Sequence, residues 1–101
     1  MKLVIITAIK EFEKDIKLLL KKAAVVTFSY RDVIGFRDAT EEAIESNWFA
    51  SEMNTTDSIM FYAFVPQKNV DSLFETIVQF NSKQATPSHI HIAIVPIEKS
   101  N

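Results

Sequence analysis

The chain has 101 residues, of which 48% are hydrophobic and 24% are charged, a composition that predicts one folded domain over residues 1–101. A net charge of -2 argues against a nucleic-acid partner, and the absence of cysteine excludes disulfides, thiolate metal sites and cysteine nucleophiles. The longest apolar run, Leu3–Ile9, is too short to cross a bilayer, so we expect a cytoplasmic protein.

The first half of the chain predicts a strand, a helix and a second strand. Leu3–Ile9 is β-branched and apolar at successive positions, which indicates a strand buried on both faces. Residues 11–22 carry apolar side chains at helical spacing and predict an amphipathic helix. Residues 24–34 return to β-branched and aromatic content, so a long second strand is expected before Gly35, the only glycine.

The second half begins with a polar loop insertion over residues 37–57, in which residues 39–48 predict a short helix. Beyond it the pattern predicts a third strand, a second helix with Asn69 as its N-cap, and a fourth strand. These three elements are Ser58–Val65, residues 69–80 and His89–Val95.

The predicted order is strand, helix, two strands, helix, strand. This is the split βαβ pattern (βαββαβ) of a ferredoxin-like α+β sandwich, a four-stranded antiparallel sheet with two helices on one face. Two helices cover only one face, yet three of the strands are apolar on both. A second copy of the chain is the economical cover, so a symmetric oligomer is expected.

Three segments carry a family resemblance. Phe28–Phe36 is similar to a strand that runs into a Gly-Phe-Gly loop entrance. Phe61–Pro66, together with the helix at 70–78, is similar to a strand that ends in Val-Pro and is followed by a helix. Ile92–Glu98 resembles a closing strand that ends Val-Pro-Val-Glu. Together these segments resemble the P-II-type nitrogen regulatory superfamily over nearly the whole chain.

The resemblance implies a non-enzymatic regulator that forms a homotrimer. In that family the long loop after the second strand contacts and regulates a transporter or enzyme, and adenine nucleotides bind in the clefts between subunits. By position, Gly35, Phe36 and Arg37 form the loop base, and residues 37–56 form the effector loop. Residues 81–88 occupy the place of a Gly-rich phosphate loop but contain no glycine and one cation, Lys83, which indicates a divergent, P-II-like branch.

Two arginines supply the remaining candidate ligand contacts. Arg31 and Arg37 flank the loop base, where two guanidinium groups can clamp a phosphate or carboxylate. With Lys83 they form the best anion-binding set in the chain. The alternative is that they pair with the neighbouring acids Asp32, Asp38 or Glu41.

Two histidines offer a second functional hypothesis. His89 and His91 are two residues apart in the predicted fourth strand, so both would point to the same face. This spacing suits a Zn, Ni or Cu site completed by Glu52, Asp57 or a neighbouring subunit, as in a trimeric CutA-like metal-binding protein. The alternative is a metal-free pair at a subunit interface. A third hypothesis is a small ferredoxin-like enzyme with His91 as its base.

Overall fold

The computed structural model, which describes residues 1–36 and 55–101, contains four strands and two α-helices. The strands form one antiparallel sheet in the order β2-β3-β1-β4, so β2 and β4 are its edges. This confirms the predicted ferredoxin-like α+β fold. In chain order the elements are β1 (Lys2–Ile9), a 3-10 turn (Lys10–Phe12), α1 (Glu13–Lys22), β2 (Ser29–Phe36), β3 (Thr55–Val65), α2 (Gln67–Ser82) and β4 (His91–Pro96).

The core lies between the two helices and one face of the sheet. Alternate residues of β1, namely Val4, Ile6 and Ala8, point towards the helices and are at most 2% exposed. The other strands and both helices contribute the rest of this cluster. Its larger members are Phe12, Ile16 and Leu20 from the first helical segment, Ile59, Phe61 and Val65 from β3, and Val70, Leu73 and Ile77 from α2.

An aromatic cluster joins α1 to the edge strand β2. Phe61 stacks on Tyr30 with ring centroids 5.0 Å apart and contacts Phe28 at 5.6 Å. The Lys17 ammonium donates to the Tyr30 hydroxyl at 3.0 Å and to the Glu13 carboxylate at 2.9 Å. Both bonds raise the pKa of Lys17, and the bond to Tyr30 has the larger effect. Tyr30 in β2 is therefore held to β3 by packing on Phe61 and to α1 by the hydrogen bond from Lys17.

The second strand begins at Ser29, so the prediction that it starts at residue 24 was wrong. Residues 23–25 instead close the helix. Ala24 adopts a left-handed conformation (φ 62°), its N–H donates to the Lys21 carbonyl at 3.0 Å, and the Val25 N–H donates to the Leu20 carbonyl at 2.9 Å. This is a helix-ending motif that usually employs glycine, and β-branched composition alone does not reveal it.

Replacing Ala24 with glycine should stabilise the protein. A left-handed residue with a Cβ costs roughly 1 kcal/mol, part of which is offset by the entropy of an unfolded glycine. We expect Ala24→Gly to raise the free energy of unfolding by about 0.5 kcal/mol in urea denaturation. Ala23→Gly, at an ordinary φ of -85°, should lower it. A loss of stability in both variants would contradict this account of the turn.

Two further predicted boundaries need correction. α2 begins at Gln67 after Pro66, which occupies the N-cap position in place of Asn69. The Asn69 side chain instead donates to the Ala23 carbonyl at 3.1 Å and so ties α2 to the end of α1. The fourth strand begins at His91 and not at His89. The predicted helix at residues 39–48 and most of the 37–57 insertion lie outside the described residues.

Candidate functional site

The face of the sheet opposite the helices, here called the open face, is apolar at one end. Cross-strand pairing places Phe64, Leu3 and Val95 in one row and Tyr62, Ile5 and Ala93 in the next. The exposed fractions of Phe64, Tyr62 and Val95 are 58%, 41% and 39%. The expectation that strands one, three and four carry apolar side chains on both faces is therefore confirmed.

The next row of the open face has three polar side chains and one apolar side chain. It runs from Arg31 through Met60 and Thr7 to His91. Thr7 is only 5% exposed, and its hydroxyl has no hydrogen-bond partner within residues 1–36 and 55–101. His91 is half-buried, and burial lowers the pKa of its imidazole, with a smaller contribution from the charge of His89.

A groove of about 660 Å³ lies along the β2–β3 ribbon, close to the point where the chain enters residues 37–54. Within it the Lys10 ammonium donates to an Asp32 carboxylate oxygen at 2.7 Å, and this bond raises the pKa of Lys10. Arg31 makes no ion pair or hydrogen bond with the described part of the chain. The groove is lined by Lys10, Arg31, Asp32, Val33, Ile34, Asp57, Ser58 and Met60.

The connection from α2 to β4 is held by one asparagine. The Asn81 amide nitrogen donates to the Ile90 carbonyl at 2.8 Å, and the Ile90 N–H donates to the Asn81 side-chain oxygen at 2.8 Å. The Asn81 side chain thereby takes up the backbone hydrogen-bonding groups of Ile90 that a neighbouring strand would otherwise pair with. This explains why β4 starts only at His91. Lys83 caps the end of α2, and its side chain is exposed.

The predicted ligand residues are divided between the two edges of the sheet. Arg31, Gly35 and Phe36 belong to β2, whereas Lys83 lies in the connection that leads into β4. Three strand spacings separate these edges, about 14 Å in all. Gly35 is buried and Phe36 is 68% exposed. One copy of the chain therefore does not bring Arg31 and Lys83 together. Arg37 lies outside the described residues.

Asp32, one of the acids considered as a partner for Arg31, is bonded to Lys10 instead. Lys10 and Asn81 are the residues near these sites that the sequence did not single out. Lys10 precedes a lysine-rich helix and resembles its solvated lysines, and Asn81 resembles an ordinary loop residue. No periodicity in the sequence distinguishes either one.

The two predicted metal ligands are neighbours, but they do not share a strand. His89 is exposed and precedes β4, whereas His91 is the first residue of β4. Asp57 lies three residues from Met60, the strand neighbour of Thr7, so its side chain points away from the open face. Glu52 is outside the described residues. Within residues 1–36 and 55–101, no group of three or more His, Cys, Asp or Glu could hold a metal ion.

The sheet order and helix placement define the class of the fold as ferredoxin-like. One similar solved structure is a DUF3240 family protein from Shewanella baltica OS155, with 16% identity and a TM-score of 0.66, covering 99% of this chain and 92% of that one. Another is CPII, a nitrogen regulatory PII-like protein from Thiomonas intermedia K12 bound to ADP, AMP and bicarbonate. CPII has 16% identity and a TM-score of 0.62, with 99% of this chain and 94% of CPII covered.

The comparisons confirm the predicted divergent P-II-like fold. No protein-family model and no curated protein sequence matches the chain. Among the described residues, no helix is long and apolar enough to cross a membrane.

Proposed function

We propose that the protein is a non-enzymatic, cytoplasmic P-II-like signalling protein. It forms a homotrimer, binds a small effector in the cleft between subunits, and regulates a partner, such as a membrane transporter or an enzyme, through residues 37–56. The observation that carries this proposal is the division of the anion-binding residues between opposite edges of the sheet, on a fold shared with CPII.

The open face supports self-association. Phe64 and Tyr62 are large side chains that are 58% and 41% exposed in a single copy, so burying what remains exposed would contribute roughly half of the ~1.5–3 kcal/mol that full burial gives. The free edges β2 and β4 belong to the same sheet, so joining the β4 edge of one copy to the β2 edge of the next repeats in the same sense. A head-to-tail contact closes into a ring when the rotation between copies divides a full turn, and a three-copy ring is the closed form we propose.

This arrangement would complete the effector site. Lys83, in the connection that leads into β4, would meet Arg31 in β2 of the neighbouring copy, and together they would supply two cations to one oxyanion. Lys10 is already neutralised by Asp32. The effector is therefore a small anion, and adenine nucleotides are the first to test because CPII is described as bound to ADP and AMP.

The groove gives the effector a route to the loop. The ribbon strands that line it, β2 and β3, run directly into residues 37–54 at Phe36 and Thr55. An anion that binds one arrangement of this segment better than another shifts the population towards it. The signal needs no covalent chemistry.

Native mass spectrometry with AMP, ADP and ATP tests this proposal. We expect a three-copy assembly that retains a nucleotide, with binding weakened at least tenfold by Arg31→Gln or Lys83→Gln. Lys68→Gln, an exposed lysine at the other end of α2, is the matched control and should bind normally. A monomer, or a trimer that takes up no anion, would refute the effector site.

Replacing residues 38–54 by a short Gly-Ser linker should leave the assembly intact.

A second candidate function is divalent-metal binding by the two histidines. It is favoured by the separation of His89 and His91, which are only two residues apart in the chain; burial lowers the pKa of His91 most, and the charge of His89 adds to this shift. The same experiment with Zn²⁺ separates the two functions. A metal retained by the wild type and lost in His91→Ala would support a CutA-like metal-binding protein. Zinc binding unchanged in His91→Ala would exclude it.

A further inference from the structure

The connection from α2 to β4 contains no glycine. One side chain, that of Asn81, joins its two ends. Asn81 bonds both the carbonyl and the N–H of Ile90, nine residues away, at 2.8 Å each. The Asn81 backbone carbonyl also accepts the Gln84 N–H at 3.2 Å. Asn81 therefore fixes the start and the end of the segment 82–89, here called the clamped loop.

Further bonds reduce the freedom of the clamped loop. The Lys83 N–H donates to the Phe80 carbonyl at 3.1 Å, and the Ser82 hydroxyl donates to the Gln79 carbonyl at 2.7 Å. Pro87 restricts its own backbone and that of the preceding residue. The backbone that carries Lys83 is thus ordered before any ligand arrives, which lowers the entropy cost of binding.

We propose that Asn81 is a positioning residue for the effector site, holding the clamped loop so that Lys83 is presented to a phosphate or carboxylate bound against the neighbouring copy. This inference rests on the proposed function and adds to it. A glycine-rich loop binds phosphate through backbone N–H groups that come close to the ligand. Here the clamped loop would bind the phosphate or carboxylate through the Lys83 ammonium.

The test compares Asn81→Ala with Asn69→Ala. Asn69 is the same residue type on the same helix, and its side chain bonds a backbone carbonyl, that of Ala23, far from the clamped loop. AMP affinity is measured by calorimetry at a temperature where circular dichroism shows both variants folded. We expect Asn81→Ala to bind AMP at least tenfold more weakly than the wild type and Asn69→Ala to bind within twofold of it.

A double-mutant cycle separates positioning from general destabilisation. Lys83→Gln should weaken AMP binding in the wild-type background and have little further effect in Asn81→Ala, because the loop that carries Lys83 has then lost its bonds to Ile90. An equal effect of Lys83→Gln in both backgrounds would overturn the positioning role.

Two other results would overturn the inference. Wild-type affinity in Asn81→Ala would refute it while leaving the effector site intact. If the wild type itself binds neither AMP nor inorganic phosphate nor acetate, both the positioning role and the effector site are refuted. That result would not contradict the proposed trimer.

Discussion

Phe64→Lys should prevent the proposed trimer from forming and leave folded monomers. Phe64 lies on the apolar end of the open face and is 58% exposed in a single copy, so the substitution does not disturb the core. In an assembly that buries this face, the lysine ammonium would lose its water without gaining a partner, at a cost of several kcal/mol per copy. Analytical ultracentrifugation should show a single-copy species at concentrations where the wild type forms the proposed trimer.

Phe74→Lys is the matched control for this prediction. Phe74 is also a partly exposed phenylalanine, 43% exposed, but it lies on α2, away from the open face. We expect this variant to assemble as the wild type does. If Phe64→Lys remains trimeric, or if both variants dissociate equally, the open face is not the surface that joins the copies.

Phe61→Ala is expected to cause the largest loss of stability of any single substitution considered. Phe61 is 1% exposed, and its ring contacts both Tyr30 and Phe28, so the change leaves a cavity beneath the edge strand. Such substitutions cost about 3–5 kcal/mol, a large share of the stability of a domain of this size. The free energy of unfolding from urea titration, measured on Phe64→Lys monomers, gives the value without a contribution from assembly.

The control for this second prediction is Phe74→Ala in the same monomeric background. It removes the same atoms from a partly exposed position and should cost less than half as much. Comparable losses in the two variants would mean that the ring of Phe61 does not anchor β2. A loss of far-UV signal from the sheet in Phe61→Ala, with both helices retained, would support the anchoring role.

The sequence predicted the sheet and helices well where one burial pattern runs through a whole element. β1 and β3 are apolar at successive positions, and both form central strands. The predicted start of β2 at residue 24 was wrong because Ala24 is the left-handed residue that ends the helix, and residues 25–28 have strand-like composition but lie outside the sheet. The predicted start of β4 failed because the partner of Ile90 is the side chain of Asn81, a contact between residues nine positions apart.

The candidate site was less predictable for a physical reason. Arg31 and Lys83 were singled out by charge, but a single chain holds them at opposite edges of the sheet. Any contact between them would depend on how copies assemble, and local spacing does not encode that. Lys10 was missed because only the fold places it beside Asp32, which is 22 residues later in the chain.

The central position of β1 affects how the protein folds as it is synthesised. Its first residues pair with the last strand on one side, Lys2 opposite Pro96, and with residues 58–65 on the other. In a growing chain one edge of β1 can pair with β3, but the other edge stays unpaired until residues 91–96 have left the ribosome. Contacts so distant in sequence form slowly. Chains that terminate before β4 would expose the edge of β1 and are expected to aggregate or to require a chaperone.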